Sequence, residues 1–83
     1  MTDDQFDLID ELYFVQTFDY LRETLSWEDN HLLEVLQELL ENGWVKALRS
    51  PDDEIFGKVN LKDDGKTLMY LATKEGLMKH NMG

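Results

Sequence analysis

At Gly43 the hydrophobic period of the chain changes, and this break constrains the fold more than any other feature of its 83 residues. Upstream, Leu32, Val35, Leu36 and Leu39 recur at helical spacing, the stripe of a helix that rests on a core. Downstream, Trp44-Val45-Lys46-Ala47-Leu48-Arg49 alternates, as a strand with one buried face does. Gly43 itself suits the left-handed residue that closes a helix. The expected class is α+β, helices first and antiparallel strands after them. A chain of this size buries only about 60–65% of the surface its unfolded form exposes, enough for one core. We therefore expect a single domain over residues 1–83.

The remaining elements are read outward from that break. Phe6, Ile9, Leu12 and Tyr13 mark an amphipathic first helix over residues 4–15. Thr17 is placed to cap a second helix carrying Phe18, Leu21 and Leu25, with Asp19 at its positive end. Ser26, with Asp29 three residues on, resembles a capping box that opens the third helix, which runs to about Asn42. Beyond the first strand, Ser50-Pro51-Asp52-Asp53 has type I turn residues. A second strand is expected over 55–62 with Gly57 as a bulge, a two-residue hairpin at Asp64-Gly65, and a third strand from Lys66 to Ala72. Thr73 caps a short closing helix through Lys79.

Charge is distributed unequally between the two halves. Residues 1–42 hold twelve acids against one base, Arg22, a net −11; residues 43–83 hold six acids against seven bases, a net +1. The first half repels polyanions, since non-specific affinity for DNA comes from lysine and arginine at phosphates. Cysteine is absent, which removes disulfides, thiolate zinc sites and thiol catalysis. The acidic N-terminus is unlike a signal peptide and no apolar run nears the ~20 residues of a membrane span. A soluble, cytoplasmic protein is expected, without membrane contact.

Enzyme templates fail in turn. Gly65-Lys66-Thr67 ends like a phosphate loop, but Asn60 stands where its first glycine belongs. Asp52 to Asp63 echoes a calcium loop, but Phe56 occupies a ligand position and Asp63 replaces the closing glutamate. His31 and His80 lack metal-ligand spacing. No catalytic residue, cofactor, metal or small-molecule substrate is expected.

Helix, helix, turn, helix and then a β-hairpin is the order of a winged helix-turn-helix domain. Leu32-Leu33-Glu34-Val35-Leu36-Gln37-Glu38-Leu39-Leu40-Glu41-Asn42-Gly43-Trp44-Val45 resembles the third helix and exit of winged-helix transcription regulators of the MarR and PadR kinds. Tyr70-Leu71-Ala72-Thr73-Lys74-Glu75-Gly76-Leu77 resembles the step by which such domains leave the wing. The resemblance covers residues from about 6 to 79. It implies a small winged helix: three helices, an antiparallel hairpin or meander, and a short C-terminal helix. It also implies that the N-terminal half of the third helix enters a DNA major groove.

The outward positions of that helix decide what is expected of it. They are Asp29, Asn30, Leu33, Glu34, Gln37, Glu38 and Glu41, of which only Asn30 and Gln37 suit base edges. Lys58, Lys62 and Lys66 are the candidate phosphate contacts from the wing region. Leu33 and Leu40 widen the apolar stripe past half the circumference, and with Trp44 they are expected to form an exposed patch beside Glu34 and Glu38. The primary expectation is a module acting through protein contacts, with a protein partner or a second copy. Two alternatives stand beside it: a small DNA-binding regulator using its wing, which the charge disfavours, and an acidic decoy that occupies a basic protein.

Overall fold

Thr2 opens the first helix with a reciprocal capping box. Its Oγ1 accepts from the Gln5 amide at 3.1 Å, while Gln5 Oε1 accepts from the Thr2 amide at 3.0 Å. The computed structural model describes residues 1–82. Helix α1 (Asp3–Asp10) buries Leu8 and Ile9 and ends well short of residue 15. It stops because the chain is drawn onto the sheet: the Ala72 amide donates to the Leu12 carbonyl at 2.9 Å. The two-residue strand β1 (Gln16–Thr17) follows.

Helix α2 (Phe18–Leu25) is capped by Thr17, whose hydroxyl accepts from the Tyr20 amide. Ser26 then adopts the left-handed region, φ 58°, and ends α2 rather than opening the next helix. This corrects its expected capping role. Helix α3 (Asp29–Glu41) starts after Glu28 without a side-chain cap, and buries the expected stripe of Leu32, Val35, Leu36 and Leu39. Gly43, at φ +75°, ends the turn that follows, as the period break implies.

Strand β2 (Val45–Ser50) turns through Pro51 and Asp52 into the short strand β3 (Asp53–Glu54). The expected strand over 55–62 and hairpin at Asp64-Gly65 do not form. Asn60 instead caps the one-turn helix α4 (Leu61–Asp64), its side chain accepting from the Lys62 amide at 3.0 Å. A 3-10 turn (Gly65–Thr67) continues it. Gly65 sits at φ −57°, a conformation that a type I′ hairpin excludes. Strand β4 (Met69–Ala72) leads through Thr73 into α5 (Lys74–Met82), which extends beyond the expected end at Lys79.

The four strands form one open antiparallel sheet in the order β1-β4-β2-β3. Val45 pairs with Ala72 and Ala47 with Tyr70, so these four inward residues meet the helices in one core with Leu8, Leu21, Leu36 and Leu39. Among the described residues five α-helices and a four-stranded sheet make this a small α+β domain, compatible with a winged-helix-like arrangement in general. Helix number and the connection from β2 to β4 differ from the simple scheme of three helices and a hairpin.

Candidate interaction surface

Asp29, Leu33 and Gln37 stand four residues apart, so they form one row along α3. The connection between β2 and β4 runs back along that row. The Gln37 side-chain amide donates to the Val59 carbonyl at 3.1 Å, and its Oε1 accepts from the Leu61 amide at 3.0 Å. One turn earlier, Leu33 lies against Gly65 so closely that a Cβ on Gly65 would collide with its Cδ2. Another turn earlier, Lys66 Nζ meets Asp29 Oδ2 at 3.2 Å. Three successive turns of α3 are thus covered by the chain's own residues 59–66.

This cover changes the standing of several expected site residues. Leu33, expected on an open patch, is only 8% exposed. Leu40 and Trp44 are half-buried and packed on the core, so the exposed Leu33/Leu40/Trp44 patch does not exist. The physical reason is long-range: an apolar stripe over half a helix is fully used when a second layer of chain lies on its far side. Gln37, expected at base edges, has its amide engaged by residues 59 and 61 and by Glu41 at 3.3 Å. Lys66 is held by Asp29, whereas Lys58 and Lys62 are exposed on the covering segment. Asn30 and Glu34 remain exposed. Glu38 is half-buried and accepts from Gln5 Nε2 at 3.0 Å, tying α3 to α1.

Two open features mark the surface, one along the β2–β4 connection and one against α3. An open cleft of ≈ 540 Å³ is walled by Ile55, Val59 and Leu68, with Arg49, Lys58 and Asp63 among its polar residues, so neither sign of charge dominates it. A smaller groove between α1 and α3 holds Asp3, Asp4, Glu34 and Glu38, with His31 Nε2 at 2.7 Å from Asp4 Oδ2. Among the described residues no cluster of three or more His, Asp or Glu is arranged to hold a metal ion, and no helix is long and apolar enough to cross a membrane. Beneath the covering segment, burial pushes the Tyr70 phenol well above its ordinary range, and its hydroxyl donates to the Gly65 carbonyl.

Sequence reasoning missed the largest exposed apolar groups near the acidic half. Phe14 is 77% exposed in the loop between α1 and β1, and Tyr13 beside it and Tyr20 in α2 are both exposed. Phe14 lies off the Phe6/Ile9/Leu12/Tyr13 stripe, which was the available signal. Phe56, 82% exposed, stands alone on the β2–β4 connection. Comparison with known proteins supplies no relative: no family model matches the chain, and no curated protein or solved structure matches it.

Proposed function

We propose that the chain is a winged-helix module of transcription-regulator type that acts mainly through protein contacts. The observation that carries this reading is the cover on α3. In the helix-turn-helix geometry the outward N-terminal half of that helix must reach base edges, and here Asp29, Leu33 and Gln37 are already engaged by residues 59–66. Charge argues the same way. With twelve acids against one base in residues 1–42, the helical face would meet phosphate with like charge.

The test is titration of the protein with mixed-sequence duplex DNA at about 50 mM salt, followed by fluorescence anisotropy. A phosphate binder gains roughly 10³–10⁵ in affinity there over 200 mM if it makes six or more contacts. No binding is expected. Binding that salt suppresses would overturn the reading and favour the regulator that grips DNA through Lys58 and Lys62. The concentration of negative charge in residues 1–42 also favours a second reading, an acidic decoy for a basic protein.

A further inference from the structure

We propose that Tyr13, Phe14 and Tyr20, with the carboxylates of Asp10, Glu11 and Asp19, form a docking site for an arginine-bearing basic segment of a partner protein. The proposal rests on the protein-contact reading above and names its surface.

The two tyrosines are exposed but not loose. Leu12 anchors the loop backbone through its carbonyl, which accepts from the Ala72 amide at 2.9 Å. The Tyr13 hydroxyl lies 2.8 Å from His80 Nδ1 and donates to Asn81 Oδ1 at 3.1 Å, while the ring meets His80 edge-on at 5.5 Å. The Tyr20 hydroxyl donates to Glu11 Oε1 at 3.2 Å, drawing the start of α2 to the end of α1. Phe14 sits between these two fixed tyrosines in the chain. The two tyrosine rings, held in place before binding, lose little entropy when a partner arrives.

The surrounding charge selects the partner. Asp10 and Asp19 have side chains 61% and 79% exposed. Arg22, the only base of residues 1–42, lies 3.6 Å from Asp19 and 3.9 Å from Asp29, and His80 Nε2 lies 3.4 Å from Asp10, so the three site carboxylates meet a single arginine between them. Aromatic faces beside carboxylates suit guanidinium, which stacks flat on a ring and forks to a carboxylate at once; a compact, strongly hydrated ammonium lacks the planar fork and does this less well. Phe56 offers the contrast. It is as exposed as Phe14, but lies on a connection that also carries Lys58 and Lys62, without a neighbouring exposed aromatic.

The experiment titrates the full chain with a labelled peptide of Gly-Arg repeats and with its Gly-Lys counterpart, reading fluorescence anisotropy. The arginine peptide should bind about two- to fivefold more tightly than the lysine peptide, the range expected of an exposed cation–π contact. Phe14→Ser should remove that preference, and Phe56→Ser should leave it intact; both side chains are exposed, so both variants should fold, as circular dichroism would check. Equal affinity for the two peptides, or a preference that survives Phe14→Ser, would overturn the proposal while leaving the protein-contact reading standing, since that reading fails only in the DNA titration. Sedimentation of the peptide-free protein covers the remaining occupant: a dimer that Phe14→Ser dissolves would assign the surface to a second copy and overturn the proposal as well.

Discussion

Helix α3 is held from two sides by different physics. On its inner side Leu32, Leu36 and Leu39 are fully buried among Leu8, Leu12, Leu21 and Tyr70 from the rest of the frame. On its outer side the 51–68 connection contributes Leu61 and Leu68 as buried residues, packs Ile55 and Val59 only partly buried on the core, sets Gly65 against Leu33, and adds point contacts: the Gln37 amide, the Tyr70 phenol and the Lys66–Asp29 pair. Burial is non-directional and scales with area. Point contacts are directional: the hydrogen bonds contribute about 0.5–1.5 kcal/mol each, and the solvent-screened ion pair about 0–1 kcal/mol. The frame should therefore unfold as a unit, and the connection should open below the global free energy.

The largest effect is expected at the frame's tightest approach. α5 crosses the backbone of Trp44 so closely that a Cβ on Gly76 would strike the Trp44 carbonyl. Thr73 locks the same crossing, its amide donating to the Trp44 carbonyl at 2.9 Å and its hydroxyl to the Gly43 carbonyl at 2.7 Å. Since two backbones meet there, neither can move aside by rotamer change, and Gly76→Ala should cost about 3 kcal/mol. Urea denaturation followed by circular dichroism would measure it. A loss below half that figure would mean that α5 is not part of the frame.

Leu61→Ala comes next. Leu61 is 1% exposed and is the main apolar anchor of the connection, so the expected cost is about 2 kcal/mol, at the low end for a buried leucine. If the comparison holds, that value is limited by detachment of residues 55–68, and the urea slope falls because the native state already exposes surface. An unchanged slope with a larger loss would place the connection inside the cooperative frame. Gln37→Ala is a gentler version. It leaves the Leu61 amide without its acceptor and should cost about 1–2 kcal/mol. Hydrogen exchange at the Leu61 amide should accelerate while Leu36 and Leu39 stay protected; parallel acceleration of all three would erase the distinction between the two sides of α3.

The same division governs what could be read from residue order. Thr17, Gly43, the Ser50-Pro51 turn and Thr73 act on neighbours a few positions away, and each is found in the expected role. The stripe of Leu32, Val35, Leu36 and Leu39 is periodic over about two turns and faces the core. Strand β1 has two residues and exists through its pairing of Gln16 with Tyr70, far along the chain, so no local pattern announces it. Ser26 looked like an N-cap because serine serves there well, yet the tight turn between α2 and α3 required a left-handed residue first. Asp64-Gly65 is a hairpin pair by composition, but Gly65 has negative φ and its bare Cα is where the Leu33 side chain packs. The burial of Leu33 has the same long-range cause: it depends on a segment about thirty residues away.

The smallest effect separates the two sides by pH. Tyr70 is neutral in the folded protein, and burial raises its pKa far above the ordinary value of 10.0. In the unfolded chain the phenol ionises near that value. The folded-state advantage of the neutral form is therefore complete below about pH 10 and declines as pH rises beyond it, by about 1.4 kcal/mol per pH unit until the folded-state value is reached. Tyr70→Phe has no phenol to ionise. It leaves the Gly65 carbonyl without its donor and should cost about 1 kcal/mol at pH 8. Above pH 10 only the wild type loses this contribution, so the two urea midpoints should converge and cross about one pH unit higher. Midpoints that stay parallel from pH 8 to pH 11 would mean that the phenol meets water in the native state. The 65–68 turn would then already be lifting from the frame, and the point contact at Gly65 would count for less than the geometry implies.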